Sequence, residues 1–187
     1  MPSPAASTAS VRSVLRRFRR GRGGSAAVEF ALVAPVFFAL LFAIIESAMM
    51  FFATQVLETV TQNSARQILT GQAQTASLTE AQFLSTVVCP TGSVASMLFS
   101  CLPPSFYIDV ESYSQFSSVV MSSQIDGSGN FITSNLGYNP GGPGDIVVVR
   151  MFYKWPLFVT GLGYNVSNLS GNQRLLYGTA AFQNEPY

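Results

Sequence analysis

The longest apolar stretch of the chain runs from Phe30 to Ala53. It contains 24 residues, and Glu46 is its only ionisable side chain. As an α-helix it would be about 36 Å long, whereas the hydrocarbon core of a bilayer is roughly 30 Å thick. Its many Leu, Ile, Val and Phe side chains favour insertion by about 4–8 kcal/mol, against a cost of about 3 kcal/mol for one central carboxylic acid. The pattern therefore predicts a membrane-spanning helix, with a buried core helix as the alternative.

The helical pattern continues beyond the apolar stretch. Apolar positions between Val56 and Ile68 fall on one side of a helical wheel, with polar positions elsewhere. We predict one helix from Ser25 to about Thr70, in a helical segment 25–74 whose transmembrane part is 30–53. The second half of this helix would offer its apolar stripe to a domain outside the membrane.

Residues 75–187 contain short helix and strand patterns, which predict a small α+β domain. A capping box at Thr79 predicts a short helix. In the segment 106–111, Phe and branched aliphatic side chains alternate with Tyr107, Asp109 and Glu111, which predicts a strand with one exposed face. The remaining predicted elements are a central strand at Asp145–Tyr153 and a closing strand at 174–183 in which Gly178 marks a bulge or a close approach. Between them and the first strand, Gln124–Gly144 is predicted to be a long loop or a turn-rich hairpin. The predicted fold is a long N-terminal helix with a small, mostly antiparallel sheet.

The basic residues are concentrated before the apolar stretch. Six of the ten lie before Gly23, and no acidic residue precedes Glu29. The positive-inside rule then places a basic leader, residues 1–24, in the cytoplasm, and the C-terminal domain outside. A secretory signal peptide would have a shorter, uncharged apolar core, and Arg16-Arg17 leaves a twin-arginine export signal as an alternative.

The chemistry that the composition allows is narrow. The chain contains no histidine, which excludes Ser–His–Asp triads, Cys–His pairs and His-ligated zinc or haem. Cys89 and Cys101 would face an oxidising compartment, so we predict a disulfide between them. We expect no catalytic residue, metal site, cofactor or nucleic-acid partner.

The segment that joins the leader to the apolar stretch is the most informative. It reads Gly-Gly-Ser-Ala-Ala-Val-Glu-Phe over residues 23–30. This segment resembles the processing site of type IV prepilins and pseudopilins, which a membrane peptidase cuts after the glycine on the cytoplasmic side. The resemblance implies cleavage between Gly24 and Ser25, with prepilin peptidase as a partner. Glu29 would then be the fifth residue of the mature chain.

Two acidic residues in or beside the membrane need an explanation. Glu29 can complement the positive end of the helix dipole, or it can pair with the new amine at Ser25 of a neighbouring subunit and so set the register of assembly. Glu46 can contact a partner, or it can snorkel to the outer interface. We assign assembly to Glu29, to the adjoining Phe30 and to Glu46.

Two further blocks narrow the resemblance. Residues 26–35 followed by Ile45-Glu46 resemble the N-terminal signature of TadE/TadG-like pseudopilins. Tyr153-Lys154-Trp155-Pro156 and the terminal 184–187 are similar to the end of TadE-type members. The resemblance implies a pilin-like fold and a minor component of the tight-adherence (Flp) pilus machine. Its implied partners are other pilins and pseudopilins, the inner-membrane pilus platform and the lipid bilayer.

These observations predict a non-enzymatic pseudopilin of the inner membrane that acts in pilus assembly and surface adhesion. Its C-terminal domain would be periplasmic or extracellular. One alternative is an uncleaved single-pass sensor or accessory subunit of a secretion system. Another is a membrane-anchored hydrolase, which would need a cleft holding two paired carboxylates.

Overall fold

A computed structural model describes residues 24–159 and 164–187; residues 1–23 of the basic leader lie outside the described residues. Helix α1 spans Ser25–Leu69 and passes through Pro35 without a break. This confirms the predicted long helix, which ends one residue before the expected Thr70. The chain divides into two compact units, one ending at Phe42 and the other comprising Ala43–Tyr187, and each is described by itself.

Short helices follow α1 in the second unit. They are α2 at Gln72–Thr75, α3 at Glu80–Phe83 and α4 at Val94–Leu98, with a π-helical turn at Leu84–Val88 after α3. The predicted capping box is present at the start of α3. The Thr79 side chain accepts from the backbone N–H of Gln82, and the Gln82 side chain accepts from the backbone N–H of Thr79. These reciprocal bonds satisfy two donors that a helix start leaves open.

The sheet has three antiparallel strands in the order β1-β2-β3. They are β1 at Phe106–Tyr113, β2 at Ile146–Pro156 and β3 at Gln173–Gln183, with a short 3₁₀ turn at Phe116–Ser118 after β1. The first eight residues of β2 are all buried, as the β-branched run predicted for a central strand. The structure therefore confirms an α+β fold with a long N-terminal helix and a small antiparallel sheet.

The second half of α1 packs on one face of this sheet. Its buried side chains include Leu57 and Ile68, and they share a core with Val149 and Met151 of β2. Gly178 of β3 pairs with Met151 without a bulge, so the close approach is the correct one of the two predictions. A Cβ added at Gly178 would lie 3.2 Å from the Leu57 carbonyl oxygen of α1.

The other face of the sheet is covered as well, which corrects the prediction for β1. Asp109 was expected on an exposed face, but it is fully buried. Residues after β1 cross this face and form a second core in which Phe131 packs beside Tyr107 and Phe152. Alternation within one strand could not predict this cover, because the covering residues lie elsewhere in the chain.

The C-terminal tail returns to the end of α1. The Asn184 side chain is buried and donates to the carbonyl oxygens of Pro140 and Gly142 at 2.9 and 3.0 Å. The backbone N–H of Glu185 donates to the carbonyl oxygen of Leu69 at 2.9 Å. The tail thus satisfies one of the carbonyl groups that a helix end leaves without a partner.

Candidate assembly site

The residues around the predicted cleavage site begin the described chain. Gly24 immediately precedes α1, and Ser25 is the first residue of the helix. Both are exposed, and nothing within 4 Å would meet a Cβ added at Gly24. Both residues of the predicted cleavage site are therefore exposed at the start of α1.

Glu29 lies one turn inside α1 rather than in the first turn. The first turn holds no acidic residue, and the interaction of a charge with the helix dipole falls off within that turn. The Glu29 side chain is exposed, as is Phe30 at 67 %. In residues 24–159 and 164–187 the ion pairs join Arg150 to Asp109 and Glu111, so Glu29 takes part in none of them. Glu29 and Phe30, two of the three predicted assembly residues, are therefore accessible to a neighbouring subunit.

The first unit has the surface of a helix that needs an apolar surrounding. Large apolar side chains project from all sides of α1 up to Phe42; among them are Leu32, Val36, Phe37 and Leu40, each exposed by more than half. In the described part of the chain α1 is the one helix long and apolar enough to cross a membrane. A soluble protein rarely exposes such a continuous surface, and these features fit a single-pass membrane protein.

The structure brings Glu46 to a loop of its own chain. Its side chain is only 7 % exposed. The carboxylate accepts from the backbone N–H groups of Phe158 and Val159, with 3.1 Å between Val159 N and Oε2. The next residue, Ser47, shares a hydrogen bond with the hydroxyl of Tyr164. Sequence reasoning offered a contact with another subunit or snorkelling for Glu46, and no local signal pointed to these amides of its own chain, which lie more than 100 residues further on.

Cys89 and Cys101 are joined by a disulfide, with their Cα atoms 6.4 Å apart. Cys89 is buried and belongs to the core that α1 shares with the sheet. The bond ties the segment carrying α4 to the π-helical turn before it. Its place is therefore structural, and within the described residues both cysteines are used in it.

A buried ion pair is the polar feature that sequence reasoning missed. The Arg150 guanidinium contacts Oδ2 of Asp109 through Nη2 at 2.6 Å and Nε at 2.8 Å, and the Gly137 N–H donates to Oδ1 at 2.9 Å. Asp109 and Arg150 are direct partners across β1 and β2. An arginine inside a β-branched run was the available signal, since a buried charge needs a partner.

The remaining acidic residues near this pair do not form a catalytic dyad. Glu111 lies 3.9 Å from Arg150 and accepts a hydrogen bond from the Tyr113 hydroxyl, which raises the pKa of Tyr113. Asp109 itself is closed to solvent. Within residues 24–159 and 164–187 no three His, Cys, Asp or Glu residues cluster to hold a metal ion. The described geometry gives the hydrolase alternative no support.

Comparison with protein families relates the segment that contains most of α1 to a known family. Residues 24–66 match the family model of TadE-like proteins. The match begins at the glycine of the predicted cleavage site and covers most of α1, including Glu29 and Glu46. It confirms the resemblance to TadE-like proteins over this segment, which is under half of the chain. Neither a curated protein nor a solved structure matches.

Proposed function

We propose that the protein is a minor pilin-like subunit of the tight-adherence pilus system, cleaved between Gly24 and Ser25 by a prepilin peptidase. The observation that carries the proposal is the TadE-like match over residues 24–66, together with a helix that starts at Ser25. The match supports involvement in the tight-adherence pilus system, and the exposed apolar helix supports a membrane location. Pilus assembly from such a subunit proceeds by lateral packing of helices rather than by catalysis.

Cleavage would prepare the chain for assembly by removing its basic leader and freeing an amine at Ser25. Glu29 lies one helical turn further on, and its side chain is exposed. In an apolar surrounding an unpaired carboxylate is expensive, so pairing with the amine of a neighbouring subunit would fix the register between helices. Exposed Phe30 would pack beside this pair. Glu46 would not make a similar contact with a neighbouring subunit, because its carboxylate already accepts two backbone N–H groups of its own chain.

The mature N-terminus tests the proposal. Protein extracted from membranes of cells with and without a prepilin peptidase is compared by intact mass and N-terminal sequencing. We expect a chain that starts at Ser25 only when the peptidase is present. An intact leader in both samples would refute cleavage and favour the uncleaved sensor or accessory subunit.

The role of Glu29 is tested separately from cleavage. Glu29→Ala is expected to be inserted and cleaved normally but to be lost from complexes with other pilus subunits, while Glu29→Asp keeps part of the interaction. Glu58→Ala is the matched control, since Glu58 is an exposed glutamate on the same helix beyond the apolar stretch. Co-purification of cross-linked subunits is the measurement. Normal recovery of Glu29→Ala in these complexes would contradict the proposed pairing.

A further inference from the structure

The loop after β2 reaches a part of α1 that is rich in apolar side chains. Phe158 and Val159 donate their backbone N–H groups to Glu46, which lies inside the apolar stretch Phe30–Ala53. The Phe158 side chain points away from the protein and is 83 % exposed. Transfer of a side chain this exposed from water into an apolar phase would be favourable.

The surface of α1 around Glu46 is apolar too. Ile44, Ile45 and Met49 flank Glu46 along the helix and are exposed by 66 %, 49 % and 45 %. The unit that begins at Ala43 thus exposes apolar side chains both on the helix beside Glu46 and at Phe158, whose backbone N–H bonds to Glu46. The segment 155–159 contains no charged residue, and the hydroxyl of Tyr164 shares a hydrogen bond with Ser47 of α1. Tyrosine is enriched at the boundary between lipid and water.

We propose that Phe158 inserts into the outer leaflet of the membrane, and that Glu46 makes this insertion possible by accepting the amide N–H groups of Phe158 and Val159. Loop backbone is tolerated at membrane depth only where its polar groups are satisfied within the protein. The carboxylate supplies that acceptor, and at 7 % exposure it is itself shielded. This inference rests on the membrane location in the proposed function. It assigns Glu46 to a contact within the chain that shapes a lipid-binding surface.

The depth of Phe158 can be measured by quenching of tryptophan fluorescence. Trp155 is the only tryptophan, so Trp155→Phe provides a background into which one tryptophan is placed at a time. The full-length protein is reconstituted in vesicles of phosphatidylethanolamine and phosphatidylglycerol, with or without brominated acyl chains. Phe158→Trp is compared with two other variants. Phe37→Trp lies in the apolar stretch, and Phe116→Trp replaces a side chain that is 62 % exposed and follows β1 at the end of the sheet where β2 begins, away from Phe158.

We expect brominated lipids to quench Phe158→Trp about half as strongly as Phe37→Trp, since an interfacial side chain lies only about 5–10 Å into the boundary. Phe116→Trp should not be quenched. If Phe37→Trp is quenched but Phe158→Trp is not, the insertion is refuted while the membrane helix stands. If neither is quenched, the membrane location itself is wrong. A blue-shifted but unquenched Phe158→Trp would mean that protein covers the residue, which also overturns the lipid assignment.

Two substitutions at Glu46 test its part in the insertion. Glu46→Gln keeps an acceptor oxygen, so Phe158→Trp should remain quenched in that background. Glu46→Leu leaves both amides without their acceptor, and quenching should fall to the level of Phe116→Trp. Far-ultraviolet circular dichroism verifies that both variants are folded. Equal quenching in the Glu46→Leu background would refute the acceptor role.

Discussion

The contact between α1 and β3 at Gly178 makes a sharp prediction about stability. A Cβ at this position would lie 3.1 Å from Cβ of Thr61 and 3.2 Å from the Leu57 carbonyl oxygen, and closer still to the Thr61 hydroxyl. Both neighbours belong to a helix whose backbone cannot yield without moving core side chains. Gly178→Ala should therefore overpack the interface, at a cost of about 1–3 kcal/mol.

An opposing effect reduces this cost. Replacing glycine by alanine restricts the unfolded chain and stabilises the protein by about 0.4–1 kcal/mol where the native conformation permits it. The net loss should be about 1–2 kcal/mol, which lowers the Tm by roughly 3–6 °C for a domain of this size. The assay is thermal unfolding of the full-length protein in detergent, monitored by the fluorescence of Trp155, which packs against the core.

Thr61 provides the test of mechanism. Thr61→Ala removes the hydroxyl that meets the added methyl group, so the double variant should recover about 1 kcal/mol relative to the sum of the single variants. Gly127→Ala is the control, because no atom lies within 4 Å of its added Cβ, and it should be neutral or slightly stabilising. A Gly178→Ala protein as stable as the wild type, or additive effects in the double variant, would refute the close approach.

Three other changes test the second unit. Asp109→Asn removes the buried counter-ion of Arg150 and leaves it only Glu111 at 3.9 Å, so it should cost about 3 kcal/mol in urea unfolding, at the lower end for a broken buried pair, whereas replacing Asp109 and Arg150 by leucine should cost less; equal losses would contradict the pair's role. Cys89→Ser with Cys101→Ser opens a loop with a sequence separation of 12 and should cost about 3 kcal/mol; unchanged stability under reducing conditions would argue against it. Burial raises the pKa of Tyr138 from 10.0 to about 12, so between these pH values the unfolded chain has lost a proton that the folded chain keeps. Stability should fall with rising pH in that window, and Tyr138→Phe should remove this part of the fall; an identical alkaline profile for Tyr138→Phe would refute the assignment.

The regular elements of the fold could be predicted because their signals are local. The apolar stretch, the helical period after it and the β-branched run of β2 each appear within one segment, and the structure confirms them. The capping box at Thr79 is equally local. Gly178 was predictable as an unusual position, but only the structure shows which backbone approaches it.

The missed features depend on contacts between distant segments. The exposed face predicted for β1 is covered by residues such as Phe131, so Asp109 is buried opposite Arg150. Likewise, Glu46 is matched with amides of a loop that follows β2. Such pairings are set by the topology of the sheet and by the register of α1 upon it, and neither can be read from the pattern within a single segment.

The length of β3 explains why the domain reaches into the apolar part of α1. Contacts of α1 with Phe158, Gly178 and Glu185 follow one another along both the helix and the chain, so α1 runs parallel to β3. Within β3, which has 11 residues, Gly178 approaches Leu57 and lies five residues after the start of the strand at Gln173, about 17 Å away. A helix covers that distance in about 11 steps of 1.5 Å, and counting back by that number from Leu57 leads to Glu46. A domain with this strand length therefore has to place its β2–β3 loop against the last third of the apolar stretch, and the Glu46 carboxylate meets the backbone amides that arrive there.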